Sequence, residues 1–320
     1  MDLASAIASG DRRALSRAIT LVENHEPEGQ SVLEDLYGRV GRARRIGITG
    51  PPGVGKSTLV AALAAHWRRS GQTVGIVAVD PSSPFTGGAL LGDRIRMSGI
   101  GLDPGIFIRS MATRGALGGL ARATYDVCDL LDAFGKDLVL VETVGVGQSE
   151  IEIVRVTDTT VVILSPESGD GVQAMKSGLM EIADVIVINK ADRPGADALE
   201  MQIRSSYELS TSRTAPDILR TAAQTGTGVA EAAAGIEAHA RRLESEGALR
   251  DHRARRLRFR IARLVEDAIA ESLHTDPALS AWLDGQVEAV LSGSRLPAAV
   301  AREALQRVGE TRRRVAARQG

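Results

Sequence analysis

The sequence has one cysteine, four lysines and few aromatic side chains, and each shortage removes a class of explanation. Cys128 alone cannot build a disulfide framework or a Cys-x-x-Cys metal site, so its expected place is a small buried position in a protein of the reducing cytoplasm. Aromatic residues make up 3% of the chain, too few for a platform on which bases would stack. The 39 basic and 40 acidic residues leave no net field to draw in a polyanion, and nucleic acid is not an expected partner. No apolar run reaches the roughly eighteen residues of a membrane helix, so no membrane association is expected. Asp2, Asp11, Arg12 and Arg13 crowd the segment where a secretory leader would have its apolar core.

What is present has the balance of a globular protein, with 43% hydrophobic and 25% charged residues. A length of 320 residues suits one large α/β domain with appended helices, or two modest domains. Residues 241–320 carry 16 Arg against 11 acidic side chains, a tilt that a solvated helical face accounts for. The 35 arginines outnumber lysine so heavily that Lys56, Lys136, Lys176 and Lys190 stand out. A chain that uses Arg for generic surface charge keeps Lys where a compact ammonium on a slim stem is needed.

Residues 3–24 read as an amphipathic helical segment with a break at Gly10-Asp11, and a second helical piece around Val32 to Val40 ends at Gly41. Then apolar β-branched runs appear at Ile46–Thr49, Val74–Val79, Ile106–Ile108, Leu138–Val141, Thr160–Leu164 and Val185–Ile188, with a weaker one at Ile218–Ala222. The intervals between them are long enough for crossover helices, which parallel strands require. Their continuous apolar character fits strands covered on both faces. After about residue 230 the pattern is helical, with a shared face at Leu257, Ile261, Leu264, Val265, Ala268, Ile269 and Leu273, and further helices over 277–291 and 297–310 begun near Pro277 and Pro297. The expected division is an N-terminal helical extension at 1–44, a nucleotide-binding domain at 45–235 and a helical region at 236–320. The tail helices need a surface for their apolar face, and their own domain or a partner subunit would serve.

The segment GITGPPGVGKST, residues 47–58, contains Gly50-x-x-x-x-Gly55-Lys56-Ser57 between a strand and a helical run. Glycines let backbone N–H groups curl around phosphate oxygens, and the helix N-terminus adds favourable partial charge. Gly50, Pro51, Pro52, Gly53, Val54, Gly55, Lys56, Ser57 and Thr58 are the expected phosphate cradle, with Lys56 reaching the β- and γ-phosphates and the Ser57 hydroxyl on Mg²⁺. The fold class expected is an α/β P-loop NTPase with a mostly parallel sheet flanked by helices. In VLVETVGVGQSE, Glu142 ends a strand where a carboxylate reaches the Mg²⁺ shell, and Gly145 can present its N–H to the γ-phosphate. Gln148 sits where an amide orients attacking water, or is a polar loop residue. The stretch VDPSSPFTGGALLGDRIRM, 79–97, is long for a connector and reads as a functional lid. Asp80 and Asp93 are its Mg²⁺ or water-activating candidates, or helix caps. Arg94 and Arg96 stabilise phosphate charge or are solvated.

In VIVINKAD, Asn189, Lys190 and Asp192 fit Asn-Lys-x-Asp at a strand end. The Asp192 carboxylate can accept from N1–H and the exocyclic amine of guanine, whereas adenine has no matching donor pair. Burying that carboxylate against ATP without a donor is costly, which is how such sites discriminate. Asn189 should tie this loop to the phosphate loop, and the Lys190 stem should cover the base. Thr221, Ala222 and Ala223 lie where a backbone N–H meets the guanine O6. GTP and GDP are the expected nucleotides.

Together these segments resemble the MeaB/ArgK-type GTPases associated with methylmalonyl-CoA mutase, in the metallochaperone-like branch of the SIMIBI class. The resemblance rests on GDRRALSRAITLVEN (10–24), GITGPPGVGKST, the 79–97 stretch, ETVGVGQSE, GDGVQAMKSGLMEIAD (169–184) and NKAD. It implies a homodimeric cytoplasmic GTPase whose helical tail dimerises. It also implies an adenosylcobalamin-dependent acyl-CoA mutase as partner, together with that mutase's adenosyltransferase; nucleotide state would gate cofactor loading and protect or rescue the mutase. It further implies a third switch at 165–180 with Asp170 and Lys176 as coupling residues. Two positions depart from the family pattern: Glu167 replaces a small residue after the proline, and Ala222 replaces a serine. A kinase or transport-linked ATPase of the ArgK kind is the alternative, against which Asn189 and Asp192 argue. A nickel-delivery GTPase would need Cys or His clusters that one Cys and five scattered His do not supply.

Overall fold

Seven short runs, six of them strongly apolar, become the strands of one parallel sheet. The computed structural model describes residues 2–80, 99–112, 122–143, 145, 149–167, 178–209 and 215–319. The strands are β1 (Arg44–Thr49), β2 (Val74–Asp80), β3 (Ile106–Ala112), β4 (Leu138–Glu142), β5 (Thr159–Leu164), β6 (Val185–Asn189) and β7 (Asp217–Thr221). Their order is β3-β2-β4-β1-β5-β6-β7, and every pairing is parallel. The chain leaves β1 to build β2 and β3 on one side, then returns through β4 and crosses to β5. That reversal puts a crevice at the carboxyl end of β1, the place where open α/β sheets bind ligands. The sequence-predicted strands all form; β3 runs on to Ala112, four residues past the expected Ile108, along the full length of β2.

Helices cover both faces. On one side α1 (Leu3–Ala8), α2 (Arg12–Glu23), α3 (Pro27–Leu36) and α5 (Arg122–Ala133) share a core with β2, β3 and β4. Ile7, Leu15, Ile19 and Val22 are fully buried there, with the lone Cys128. The break at Gly10-Asp11 separates α1 from α2, and the Asp11 carboxylate caps α2 by accepting from Arg13 N at 2.7 Å and Ala14 N at 3.1 Å. Arg12 then donates to the carbonyls of Pro104 and Ile106 at 2.7 and 2.8 Å, and Arg109 of β3 pairs with Glu23. The N-terminal helices are thereby fixed to the start and middle of β3. On the other face, α4 (Lys56–Arg69) and α9 (Val229–Ser245) bury Leu59, Leu63, Trp67, Ala232 and Ile236 against β1, β5 and β6. Beside β6, α8 (Ala196–Glu208) contributes Leu199, Ile203 and Tyr207, and α7 (Leu179–Ile182) contributes Leu179.

Below the sheet a buried cation balances several acids. Arg45, 4% exposed, lies 2.5 Å from Asp129 and 3.5 Å from Asp132, while Asp132 also accepts N–H bonds from Gly41, Arg42 and Ala43. Lys136, also buried, donates to the Gly105 carbonyl at 2.8 Å.

The chain forms two compact units, Met1–His252 and Arg253–Gly320. The N-terminal helices belong to the first. The second contains most of α10 (Ala248–Thr275), with α11 (Pro277–Leu291) and α12 (Pro297–Gln319). The Asp276 side chain caps α11 just before Pro277 at N1. Leu257, Ile261 and Val265 of α10 are 40%, 62% and 54% exposed, so one apolar stripe of that helix faces outward.

Candidate functional site

The site assembles at the carboxyl ends of β1, β4, β6 and β7. After β1 the chain turns through Gly50–Gly55 and enters α4 at Lys56, so the first amides of that helix open onto the loop. Gly55 caps α4 at φ 92°, where a Cβ would stand 2.5 Å from Asn189 Nδ2. Lys56 is 7% exposed, and its Nζ donates to the carbonyls of Gly50 at 2.8 Å and Pro51 at 2.9 Å. The ammonium thus lies across the mouth of the loop. Gly145 approaches from the β4 side with φ 95°; a Cβ there would meet Lys56 Nζ at 2.5 Å and Gly50 O and Pro52 N at 2.9 Å. Its backbone rests directly on the phosphate loop.

Ser57 and Glu142 come together beside it. The Ser57 hydroxyl donates to Glu142 Oε1 at 2.6 Å, and both side chains are buried, at 6% and 4% exposure. A hydroxyl and a carboxylate in contact at a helix N-terminus are hard oxygen donors of the kind Mg²⁺ takes alongside phosphate oxygens, so this pair fits that ion. β2 pairs Ala78 with Glu142, which brings the backbone of Asp80 to the same end of the neighbouring strand. Of Asp80 only the backbone is described; Asp93, Arg94, Arg96, Gln148, Asp170 and Lys176 lie outside the described residues.

Across the loop, Asn189 is 2% exposed and joins three segments. Its Nδ2 donates to Val54 O at 2.8 Å, and its Oδ1 accepts from Thr221 Oγ1 at 3.0 Å and Ala223 N at 3.1 Å. Gly55, Thr58, Asn189, Lys190, Asp192 and Ala223 line an open cleft of about 70 Å³, together with Arg193 and Gln224. Asp192 is exposed on its wall, so a carboxylate selecting a base from there would gain its burial only from the base itself. Ala222 N is bonded to Thr227 O and Ala223 N to Asn189, which leaves the Thr221–Ala223 turn rigidly held. Lys190 has φ 57°, a left-handed backbone that non-glycine residues adopt rarely.

Three features have little or no mark in the sequence. Glu150, on the short helix α6 (Ser149–Glu152), is 6% exposed; burial pushes its carboxyl up and the Lys56 ammonium pulls against that. Its position at the end of the ETVGVGQSE segment was the available signal. Thr143 Oγ1 donates to Thr49 Oγ1 at 2.9 Å and stitches the ends of β4 and β1, where no spacing in the sequence marks it. Glu167 binds both Lys190 and Arg193, and only its unusual presence after Pro166 pointed to it.

A parallel sheet whose first strand feeds a Gly-x-x-x-x-Gly-Lys-Ser loop, with an Asn-Lys-x-Asp loop tied to it, defines a P-loop GTPase. The chain belongs to the family described as methylmalonyl-CoA mutase-associated GTPase MeaB, whose model matches residues 15–278. A protein of Pyrococcus horikoshii bearing the name of a GTPase is 47% identical over 277 residues, covering 85% of this chain and 87% of that one. The mouse mitochondrial protein named methylmalonic aciduria type A homolog is 31% identical over 315 residues, covering 92% of this chain and 76% of its own. Among solved structures, one described as an LAO/AO transport system kinase superposes with a TM-score of 0.70 at 27% identity, covering 97% of this chain and 96% of its own. Among the described residues no helix is long and apolar enough to cross a membrane.

Proposed function

We propose that this GTPase is a nucleotide-switched chaperone of the cytoplasm that gates adenosylcobalamin loading into an acyl-CoA mutase, methylmalonyl-CoA mutase first among the candidates, and protects or rescues it. The observation that carries the nucleotide half is Asn189, whose one amide holds the phosphate loop, the base loop and the Thr221–Ala223 turn in register. Family membership and the mouse relative's name support the mutase half.

In this reading Gly50–Thr58 enclose the phosphates, Lys56 moves from the Gly50 and Pro51 carbonyls to the β- and γ-phosphate oxygens, and Gly145 donates its N–H to the γ-phosphate. Ser57 and Glu142 would hold Mg²⁺, with Asp80 and Asp93 completing the acidic set. Bound there, Mg²⁺ supplies neutralisation of charge on the phosphate oxygens. Gln148 orients the attacking water, and Asp93 is the acidic candidate for activating it. Asp192 accepts from guanine, Lys190 covers its plane, and the Thr221–Ala223 turn lies along its O6 edge. Asp170 and Lys176 relay the nucleotide state toward the mutase or its adenosyltransferase. The exposed stripe Leu257, Ile261 and Val265 supplies an apolar face for a homodimer.

Two measurements test this. Purified protein should hydrolyse GTP far better than ATP, and Asp192→Asn should erase the preference; equal rates in the wild type would remove the guanine assignment. Pull-down of candidate acyl-CoA mutases should differ between GDP and a non-hydrolysable GTP analogue. Nucleotide-independent or absent binding would remove the chaperone role. The resemblance to a structure described as a transport system kinase keeps one other reading in view, and phosphate transfer from ATP to a protein acceptor would favour it.

A further inference from the structure

At the rim of the base cleft, two cations that flank the guanine-selecting carboxylate are both taken up by one residue from a different loop. Lys190 Nζ donates to Glu167 Oε2 at 2.7 Å, and Arg193 pairs with Glu167 Oε1. Glu167 follows the end of β5, whereas Lys190 and Arg193 follow β6. The backbone of this second loop is packed against the first, since a Cβ on Gly195 would lie 3.4 Å from the Pro166 ring. The three charged side chains are 36%, 27% and 44% exposed, so they form a half-covered rim.

Two physical consequences follow from this arrangement. A lysine stem is flexible, and ordering it over a base costs rotamer entropy that a pre-formed anchor at its far end reduces. The left-handed backbone of Lys190 already fixes where the stem starts; Glu167 fixes where it ends. Second, Arg193 is the immediate neighbour of Asp192 in the chain. With its guanidinium and the Lys190 ammonium both committed to Glu167, the Asp192 carboxylate is left to accept from a base rather than from an adjacent cation.

We propose that Glu167 is a positioning residue for the base site: by binding Lys190 and Arg193 it holds the lysine stem over the purine and keeps both cations away from Asp192. This deepens the guanine-site reading and rests on it. The partners of Glu167 are residues of the base loop, so it sets how tightly nucleotide is held and not how fast the bound nucleotide is cleaved.

The test uses the full-length protein with fluorescent GDP and with GTP. Glu167→Ala should raise the GDP dissociation rate about threefold at low salt, the size expected of half-exposed ion pairs. KM for GTP should rise by a similar factor with kcat unchanged, and Glu167→Gln, which keeps an acceptor but loses the charge, should fall between the two. Near 1 M salt, where charges are screened within about 3 Å, wild type and Glu167→Ala should converge. Dissociation from Glu167→Ala equal to wild type at low salt would overturn the proposal, as would a loss of kcat with KM unchanged. Binding of ADP and GDP by the wild type is the control. If they bind equally, the guanine-site reading itself fails; if GDP is preferred and Glu167→Ala still matches wild type, only the positioning role fails.

Discussion

Replacing Asn189 by alanine removes three hydrogen bonds at once and tests whether the nucleotide loops act as one unit. Val54 O and Ala223 N are backbone groups that cannot turn away, whereas the Thr221 hydroxyl can rotate to another acceptor. Each buried group left without a partner costs about 1–3 kcal/mol, and a water entering the vacated space returns part of that. The net loss of folding stability should be about 2–4 kcal/mol. Because the amide also holds the phosphate loop in register with the base cleft, guanine nucleotide must realign them in the variant, and binding should weaken by about tenfold to a hundredfold, or about 1.4–2.8 kcal/mol. Asn189→Asp sharpens the point. It keeps the acceptor facing Thr221 and Ala223 but sets an oxygen where Nδ2 stands 2.8 Å from Val54 O, and it should be at least as damaging as alanine. Urea unfolding with and without GDP, alongside a fluorescent-GDP titration, separates the two effects. An alanine variant with an unshifted urea midpoint and affinity within about twofold of wild type would refute the claim that one amide couples the loops.

Gly145→Ala should abolish GTP hydrolysis while leaving the sheet intact, because its Cβ would land 2.5 Å from Lys56 Nζ on a residue at φ 95°; a variant with near-normal turnover would show that Gly145 does not lie on the phosphate loop during catalysis. Arg45→Met takes the cation from Asp129, a carboxylate 2% exposed, and should cost about 3–5 kcal/mol in urea unfolding; a loss below about 1 kcal/mol would mean the acids are otherwise neutralised. Burial, then repulsion from Arg12 and Arg68, pulls Lys136 down to about 8 from its ordinary 10.5. Between those values the unfolded chain holds more proton than the folded one, so this group makes stability rise as pH climbs from 8 toward 10.5. The gain should be about 1–2 kcal/mol after solvent screening, and the pH slope should flatten in Lys136→Met; an unchanged slope would count against it.

Much of the site was legible because its parts are contiguous. The phosphate loop is eight residues long, and its strand and helix are marked by a β-branched run before it and a regular apolar face after it. Asn189, Lys190 and Asp192 likewise stand at the end of a run that can only be a buried strand. The strand order was not legible, because parallel runs of similar composition carry no record of their neighbours; that β1 lies between β4 and β5 is a fact of packing. The contacts that cross between loops escaped for the same reason. Ser57 and Glu142 are 85 residues apart, and their 2.6 Å contact depends on the pairing of β1 with β4. Glu167 is marked in the sequence only as a departure in residue type, and its partners follow from the packing of the loops after β5 and β6. The burial of Lys136 was equally silent, since only the packing around Gly105 explains why an arginine-rich chain keeps a lysine there.

The attachment of the N-terminal helices to β3 has a consequence for how the chain is made. Ile7, Leu15, Ile19 and Val22 are fully buried, and the surface that buries them includes Phe107, Val127 and Leu131. Those partners are synthesised about a hundred residues later, which at ribosomal rates of about 5–20 residues per second is an interval of roughly 5–20 s. Throughout that time α2 has an apolar face and no sheet to place it on. Arg12 and Glu23 wait equally for the Pro104 and Ile106 carbonyls and for Arg109. A nascent chain stalled before β3 would therefore present a ready-made amphipathic helix to chaperones and proteases, and completion of α5 is the event that withdraws it.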